Sequence, residues 1–80
     1  MPIIKYLIRI VNDDSEGVPG KEVSVYYDLT QDSDFTDEEG WVKFKKDNLL
    51  EPMVRATIYV DGEQIKDISA HDGDTFSLSI

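Results

Sequence analysis

From Ile4 to Val11 apolar and polar side chains fall into a period of two, and the same alternation returns in segment after segment. That period places successive side chains on opposite faces of a strand, so the chain is built for sheets rather than helices. In the first run Ile4, Tyr6, Ile8 and Ile10 share one face, while Lys5, Leu7, Arg9 and Val11 share the other. Such a strand has one well-buried face and one mixed face. Val23, Val25 and Tyr27 repeat the pattern, as do Val42 and Phe44, then Val54, Ala56, Ile58 and Val60, and finally Phe76, Leu78 and Ile80. No segment sustains a 3.6-residue period, and no repeat recurs at solenoid spacing.

The breaks between these runs carry turn chemistry. Asn12 to Gly17 reads as a polar loop, and Val18-Pro19-Gly20 as a turn in which proline fixes φ and glycine takes the left-handed position. Thr30 to Ser33 reads as another polar turn, followed by a short strand at Asp34-Phe35-Thr36. Asp37-Glu38-Glu39-Gly40 is expected to close a hairpin onto the strand that begins at Trp41. Asp47 to Pro52 is the one stretch suited to a helical turn, stopped by Pro52. Asp61-Gly62 is the strongest hairpin signal, and Asp72-Gly73-Asp74 marks a last turn. Ile65 and Ile68 are three apart, so both can face inward only if a bulge or bend lies between them. These segments amount to about seven short strands, the pattern of an all-β sandwich.

Eighty residues make one domain, 1–80, with no room for a second core. The chain has no cysteine, which removes disulfides and thiolate metal sites. Lys5 and Arg9 interrupt the longest apolar stretch, so no membrane-spanning helix and no secretory leader is read. A natural start at Met1 implies a cytoplasmic protein, whereas an excised domain implies an extracellular or cell-surface one. The formal net charge of −9, from 17 acidic against 8 basic residues, opposes nucleic acid and anionic membrane as partners.

Three segments together resemble the carboxypeptidase regulatory-like, or prealbumin-like, domains. The first is Gly17-Val18-Pro19-Gly20-Lys21-Glu22-Val23-Ser24-Val25, similar to the family's Gly-x-Pro turn and Val-x-Val strand. The second is Phe35-Thr36-Asp37-Glu38-Glu39-Gly40-Trp41-Val42-Lys43-Phe44, similar to its Thr-Asp-x-x-Gly hairpin. In this segment Thr36 favours a strand, the acidic pair favours a turn, and Gly40 permits the reversal. The third, Ala56 to Gly62, is similar to its later strand and glycine turn. The resemblance spans residues 8 to 80 in the family's order. It implies a Greek-key, transthyretin-like sandwich of the kind found mostly as non-enzymatic modules. The related hydroxyisourate hydrolases use several histidines, an arginine and a C-terminal Tyr-Arg-Gly-Ser. This chain has one histidine and ends Ser-Leu-Ser-Ile, so their activity does not carry over.

Ser69, His71 and Asp72 or Asp74 are the local set with residue types suited to nucleophilic catalysis. Neighbours on a strand or turn point apart, so no catalytic residue is assigned and the protein is expected not to be an enzyme. The acidic stretches Asp13-Asp14-Ser15-Glu16, Asp32-Ser33-Asp34 and Asp37-Glu38-Glu39 would suit calcium if they met at one end of the sandwich. They lack EF-hand spacing and read first as a solvated rim, so no metal site and no cofactor is assigned. Trp41, Tyr59 and Tyr26 fall on the outward phase of their strands and are the candidate binding residues, forming one aromatic patch if their strands are neighbours. The expected function is a non-enzymatic module for protein binding, or for a structural or adhesive role. An acidic inhibitor or nucleic-acid mimic, and a calcium-stabilised surface module, are the alternatives. The partner is read as a protein of unspecified kind, with the chain a monomer or a weak dimer through edge strands.

Overall fold

A computed structural model describes residues 3–47 and 52–80. It contains seven strands: β1 (Ile3–Val11), β2 (Glu22–Tyr26), β3 (Gln31–Phe35), β4 (Trp41–Asp47), β5 (Met53–Val60), β6 (Glu63–His71) and β7 (Asp74–Ser79). They form a three-stranded sheet in the order β4-β1-β7 and a four-stranded sheet in the order β3-β2-β5-β6. After β2, β3 and β4, strand β5 returns to lie beside β2, which is a Greek-key connection. All pairings are antiparallel except β1 with β7.

The alternation in the sequence becomes the core. Ile4, Tyr6, Ile8 and Ile10 of β1 meet Val23 and Val25 of β2, Val42 and Phe44 of β4, and the inward residues of β5. Tyr6, Ile8, Ile10, Val23, Val25 and Ile58 are essentially inaccessible. The Tyr6 ring is tilted against Phe44 and meets Phe76 edge-on, with centroids 5.9 and 6.3 Å apart. Val11 is buried as well, although its phase puts it on the outward side of β1.

The strand registers confirm two local readings. Asp61 and Gly62 both have positive φ, 51° and 86°, as a two-residue hairpin turn requires. In the β5–β6 ladder Ile58 faces Lys66 and Tyr59 faces Gln64, so Ile65 is the extra residue of a bulge. That bulge resets the phase, letting Ile65 pack against the core while Ile68 is buried.

Two expectations are corrected. Gln31 to Ser33 are part of β3 rather than a turn. Every residue of β3 is exposed, so the strand has no apolar face to announce it, and it is held by its ladder to β2. Asp37 to Gly40 does not close a hairpin within one sheet but carries the chain from the four-stranded to the three-stranded sheet. Thr36 does more than favour a strand. It is buried, its Oγ1 donates to the Val18 carbonyl at 2.7 Å, and it accepts from the Lys21 amide at 2.9 Å. Thr36 therefore clamps the Val18–Lys21 turn onto the corner. The expected helical turn at Asp47 to Pro52 lies mainly outside the described residues, Asp47 itself ending β4.

The glycines of the first two motif segments meet at this corner. A side chain on Gly40, where φ is 86°, would press on the Ile10 carbonyl, and on Val18 N and Gly17 Cα at 2.8 and 2.9 Å. A side chain on Gly17 would collide with the Glu39 backbone. The close approach lets the Gly40 carbonyl accept from the Ile10 amide at 2.8 Å, and the Ile10 carbonyl accept from Val18 at 2.9 Å.

Candidate interaction surfaces

Face and sheet together decide which outward side chains meet. Tyr26 and Tyr59 belong to adjacent strands of the four-stranded sheet, with Ser24 opposite Tyr59 and Tyr26 opposite Thr57. Their rings make an edge-to-face pair at 4.9 Å on the outer face, with Tyr26 43% exposed. Trp41 begins β4 in the other sheet, opposite Arg9. The three candidate residues therefore form no single patch: Trp41 faces away from one side of the sandwich and the tyrosine pair from the other. Alternation tells which side of its own strand a residue takes, but not which sheet the strand joins.

Beside the tyrosine pair, where β2 ends, lies a shallow depression of about 390 Å³ lined by Tyr26, Tyr27, Asp28, Arg55, Thr57 and Asp67, among others. The Thr57 hydroxyl donates to Asp67 Oδ1 at 2.7 Å, which fixes one wall. The floor is mixed in character, with an aromatic edge and one guanidinium.

The outer face of the three-stranded sheet is different. β1 contributes Ile3, Lys5, Leu7 and Arg9, and β4 contributes Trp41, Lys43, Lys45 and Asp47. β7 adds Thr75 and Ser77 opposite Leu7 and Arg9. Four of the chain's eight cationic residues thus stand on one sheet face of a protein with net charge −9. Arg9 is occupied locally: its guanidinium lies 5.5 Å from the Trp41 ring centre, and its Nε donates to the Glu39 carbonyl at 3.1 Å. Lys5 and Lys45 are directly opposite each other across the β1–β4 ladder, and Lys43 is opposite Leu7. Among the described residues none of these three lysines is ion-paired; the ion pairs there are Lys21–Asp61 at 3.1 Å and His71–Asp74 at 3.4 Å. Sequence reading passed over this face because net charge sums over the whole chain. The signal was available in the outward phase of two runs, Lys5 to Arg9 and Lys43 to Lys45.

The carboxylates concentrate elsewhere. Strand directions bring Asp13, Asp14, Glu16, Asp37, Glu38, Glu39 and Asp61 to the end of the sandwich where β1 finishes and β4 begins. Several shape their own turns. Asp37 Oδ1 accepts from the Glu39 and Trp41 amides at 2.9 and 3.0 Å. Asp61 Oδ1 accepts from the Glu22 amide and Oδ2 meets Lys21, which together hold its carboxyl below the usual range. Asp32 and Asp34 are in β3 rather than in a loop, each accepting from the amide that follows it. Among the described residues no group of three or more His, Cys, Asp or Glu side chains is arranged to hold a metal ion.

Ser69 and His71 close β6 and Asp74 opens β7, on either side of the Asp72–Gly73 turn. Asp74 Oδ2 accepts from the His71 amide at 2.8 Å, and Ser69 is opposite Arg55 across the β5–β6 ladder. A part-buried polar pair lies elsewhere: the Tyr6 and Tyr27 hydroxyls share a hydrogen bond at 2.6 Å. Burial pushes both phenols above their ordinary pKa. Their shared bond raises Tyr6 further and partly offsets the rise at Tyr27.

Four strands are sheet edges. β3 carries Asp32 and Asp34 on its inward phase, β4 carries its lysines, and β6 carries the Ile65 bulge. All three devices discourage edge-to-edge pairing. The β7 edge, from Thr75 to Ser79, has neither charge, proline nor bulge.

Among solved structures the chain is similar to the Bacillus anthracis TIE protein. The TM-score is 0.71 at 14% identity, over 98% of this chain and 16% of that chain. The likeness shows the shared fold, and this chain spans about a sixth of the other's length. No family model matches the chain, and no curated protein matches it. No helix among the described residues is long and apolar enough to cross a membrane.

Proposed function

We propose that this chain is a non-enzymatic β-sandwich module that binds another protein, in a recognition, structural or adhesive role. The supporting observation is the presentation of aromatic side chains on the outer faces of both sheets by hydrogen-bonded ladders. Tyr26 and Tyr59 support each other edge-on, and Trp41 is braced by Arg9. Aromatic groups held this way lose little entropy on binding, which suits them as interface anchors. We also take the prealbumin-like type as the finer description of the fold. It is supported by the contact between Gly17 and Gly40, which gives both resembling segments one structural job.

Immobilised protein, Trp41→Ala and the double variant Tyr26→Ala/Tyr59→Ala should be compared for capture of a partner, with melting curves as controls. A partner held by the parent protein and lost from either folded variant supports the module. Capture unchanged in both removes the aromatic faces from the reading.

The acidic end favours a second reading, in which that end mimics a polyanion for a basic protein. Binding to such a protein that persists unweakened in about 0.5 M salt would count against it, because exposed charges are largely screened there.

A further inference from the structure

We propose that the outer face of the β4-β1-β7 sheet is a docking surface for an acidic stretch of polypeptide carrying an apolar side chain. The proposal rests on the reading of the chain as a binding module and adds the partner's chemistry.

The first ground is charge. Lys5 and Lys45 face each other across the ladder, a like-charge pairing that costs stability when uncompensated. The chain has 17 acidic residues, yet none of those described lies within ion-pair distance of Lys5, Lys43 or Lys45. Cross-strand side chains sit about 5 Å apart, a spacing that lets one carboxylate lie between two ammonium groups. A carboxylate supplied from outside turns the repulsion at Lys5–Lys45 into two attractions.

The second ground is shape. A depression of about 310 Å³ opens beside these lysines, lined by Lys5, Leu7 and Lys43 together with the Asp72–Asp74 turn. Leu7 is 37% exposed there, in mid-strand. The depression offers an apolar side chain a seat with Lys5 and Lys43 among its walls and the Asp72–Asp74 turn beside them, where Asp72 Oδ1 is engaged by the Lys5 amide at 2.9 Å, so the fitting ligand carries its carboxylates on the lysine side of that side chain. Trp41 and Ile3 extend apolar surface toward the two ends of the face.

The same features disfavour the other polyanions. A nucleic acid strand or a phospholipid surface extends past a face of this size. It would then meet Glu38 and Glu39 in the turn before β4, beyond the Trp41 end of the face. Stacking bases also need open aromatic rings, and Arg9 already lies over Trp41. A short peptide segment is compact enough to stay on the basic area.

The chain has a single tryptophan, and it is on this face, so its fluorescence reports binding directly. The probe is a short peptide of glutamates flanking a central leucine, titrated into the intact protein. Controls are the same peptide with glutamine for glutamate, an oligothymidylate, and phosphatidylglycerol vesicles. The glutamate peptide is expected to change the Trp41 signal saturably. Lys43→Glu/Lys45→Glu should weaken it by about tenfold or more. Lys45→Glu alone should leave the melting midpoint unlowered, since it places opposite charges across the Lys5 pair. The proposal is overturned if the glutamine peptide binds as well, or if the oligonucleotide or vesicles bind more tightly. Unchanged affinity in the double lysine variant, or a lowered midpoint for Lys45→Glu, also overturns it. If a captured partner is lost by Trp41→Ala yet kept by the lysine variant, the module reading stands and the acidic ligand is wrong.

Discussion

Substituting alanine at three glycines separates two sources of stability that usually arrive together. Gly62 and Gly40 have the same φ, 86°, but a methyl group on Gly62 meets nothing within 4 Å. On Gly40 it meets the Ile10 carbonyl, Val18 N and Gly17 Cα. Gly17 supplies the remaining case, a close approach to the Glu39 backbone with no left-handed φ. Gly62→Ala should therefore cost the backbone term alone, roughly 1–2 kcal/mol. Gly17→Ala should cost the overpacking term, about 1–3 kcal/mol. Gly40→Ala carries both. It must also loosen the Ile10–Gly40 and Val18–Ile10 hydrogen bonds, each worth about 1 kcal/mol, so about 4 kcal/mol in all is expected. An 80-residue domain has a total stability of roughly 4–12 kcal/mol, so this one methyl group removes a large share of it. Urea unfolding followed by circular dichroism reads all three, with thermal midpoints falling about 4–8 °C per kcal/mol. Equal losses for Gly40→Ala and Gly62→Ala would show that φ alone matters and that the glycine contact stores no energy. A neutral Gly17→Ala would show that the corner can open without cost.

The Tyr6–Tyr27 hydroxyl pair makes an alkaline prediction. Both phenols are held above their ordinary value, so the folded state keeps protons that the unfolded chain releases. Their contribution is complete below about pH 10, and stability falls as pH rises beyond that point. Tyr6→Phe should cost about 1–2 kcal/mol at neutral pH through the lost bond and flatten the alkaline limb, as paired melts at rising pH will show. An equally steep limb in the variant would locate the effect elsewhere. At the other extreme Asp61 should titrate below 3.8 by carboxyl NMR, since the Glu22 amide and Lys21 favour its charged form. Stability it contributes is kept above the unfolded value and lost as pH falls through the folded one. Lys21→Ala should move that titration back toward the ordinary value, and no movement would place the cause wholly in the backbone bond.

The strand faces were legible because burial imposes period two on every core strand, and Ile65–Ile68 even announced its bulge. β3 was not legible. Its residues Gln31 to Phe35 bury nothing, so no hydrophobic pattern marks them. The Asp37–Gly40 corner has local chemistry much like that of a hairpin, with a side-chain cap and a glycine of positive φ. Only the pairing of the flanking strands with distant partners shows that it changes sheet. For the same reason Trp41 and the tyrosine pair could be placed outward from sequence but not on the same or opposite sides. The lysine face is the converse case: its residues were legible one by one, and their convergence depends on the β1–β4 register.

The parallel pairing of β1 with β7 has a mechanical consequence. β1 runs from Ile3 toward the acidic end, and β7 runs the same way to Ser79. The two outermost strands in sequence therefore lie side by side, with their free ends at opposite poles. A pull applied through Ile3 and Ser79 drags the two strands past each other along their common axis. The register from Tyr6–Asp74 to Val11–Ser79 is then loaded all at once, in shear, rather than peeled open pair by pair. The hydrogen bonds of that ladder must yield together before the core is exposed, so tension along the chain meets the sandwich in its stiffest direction.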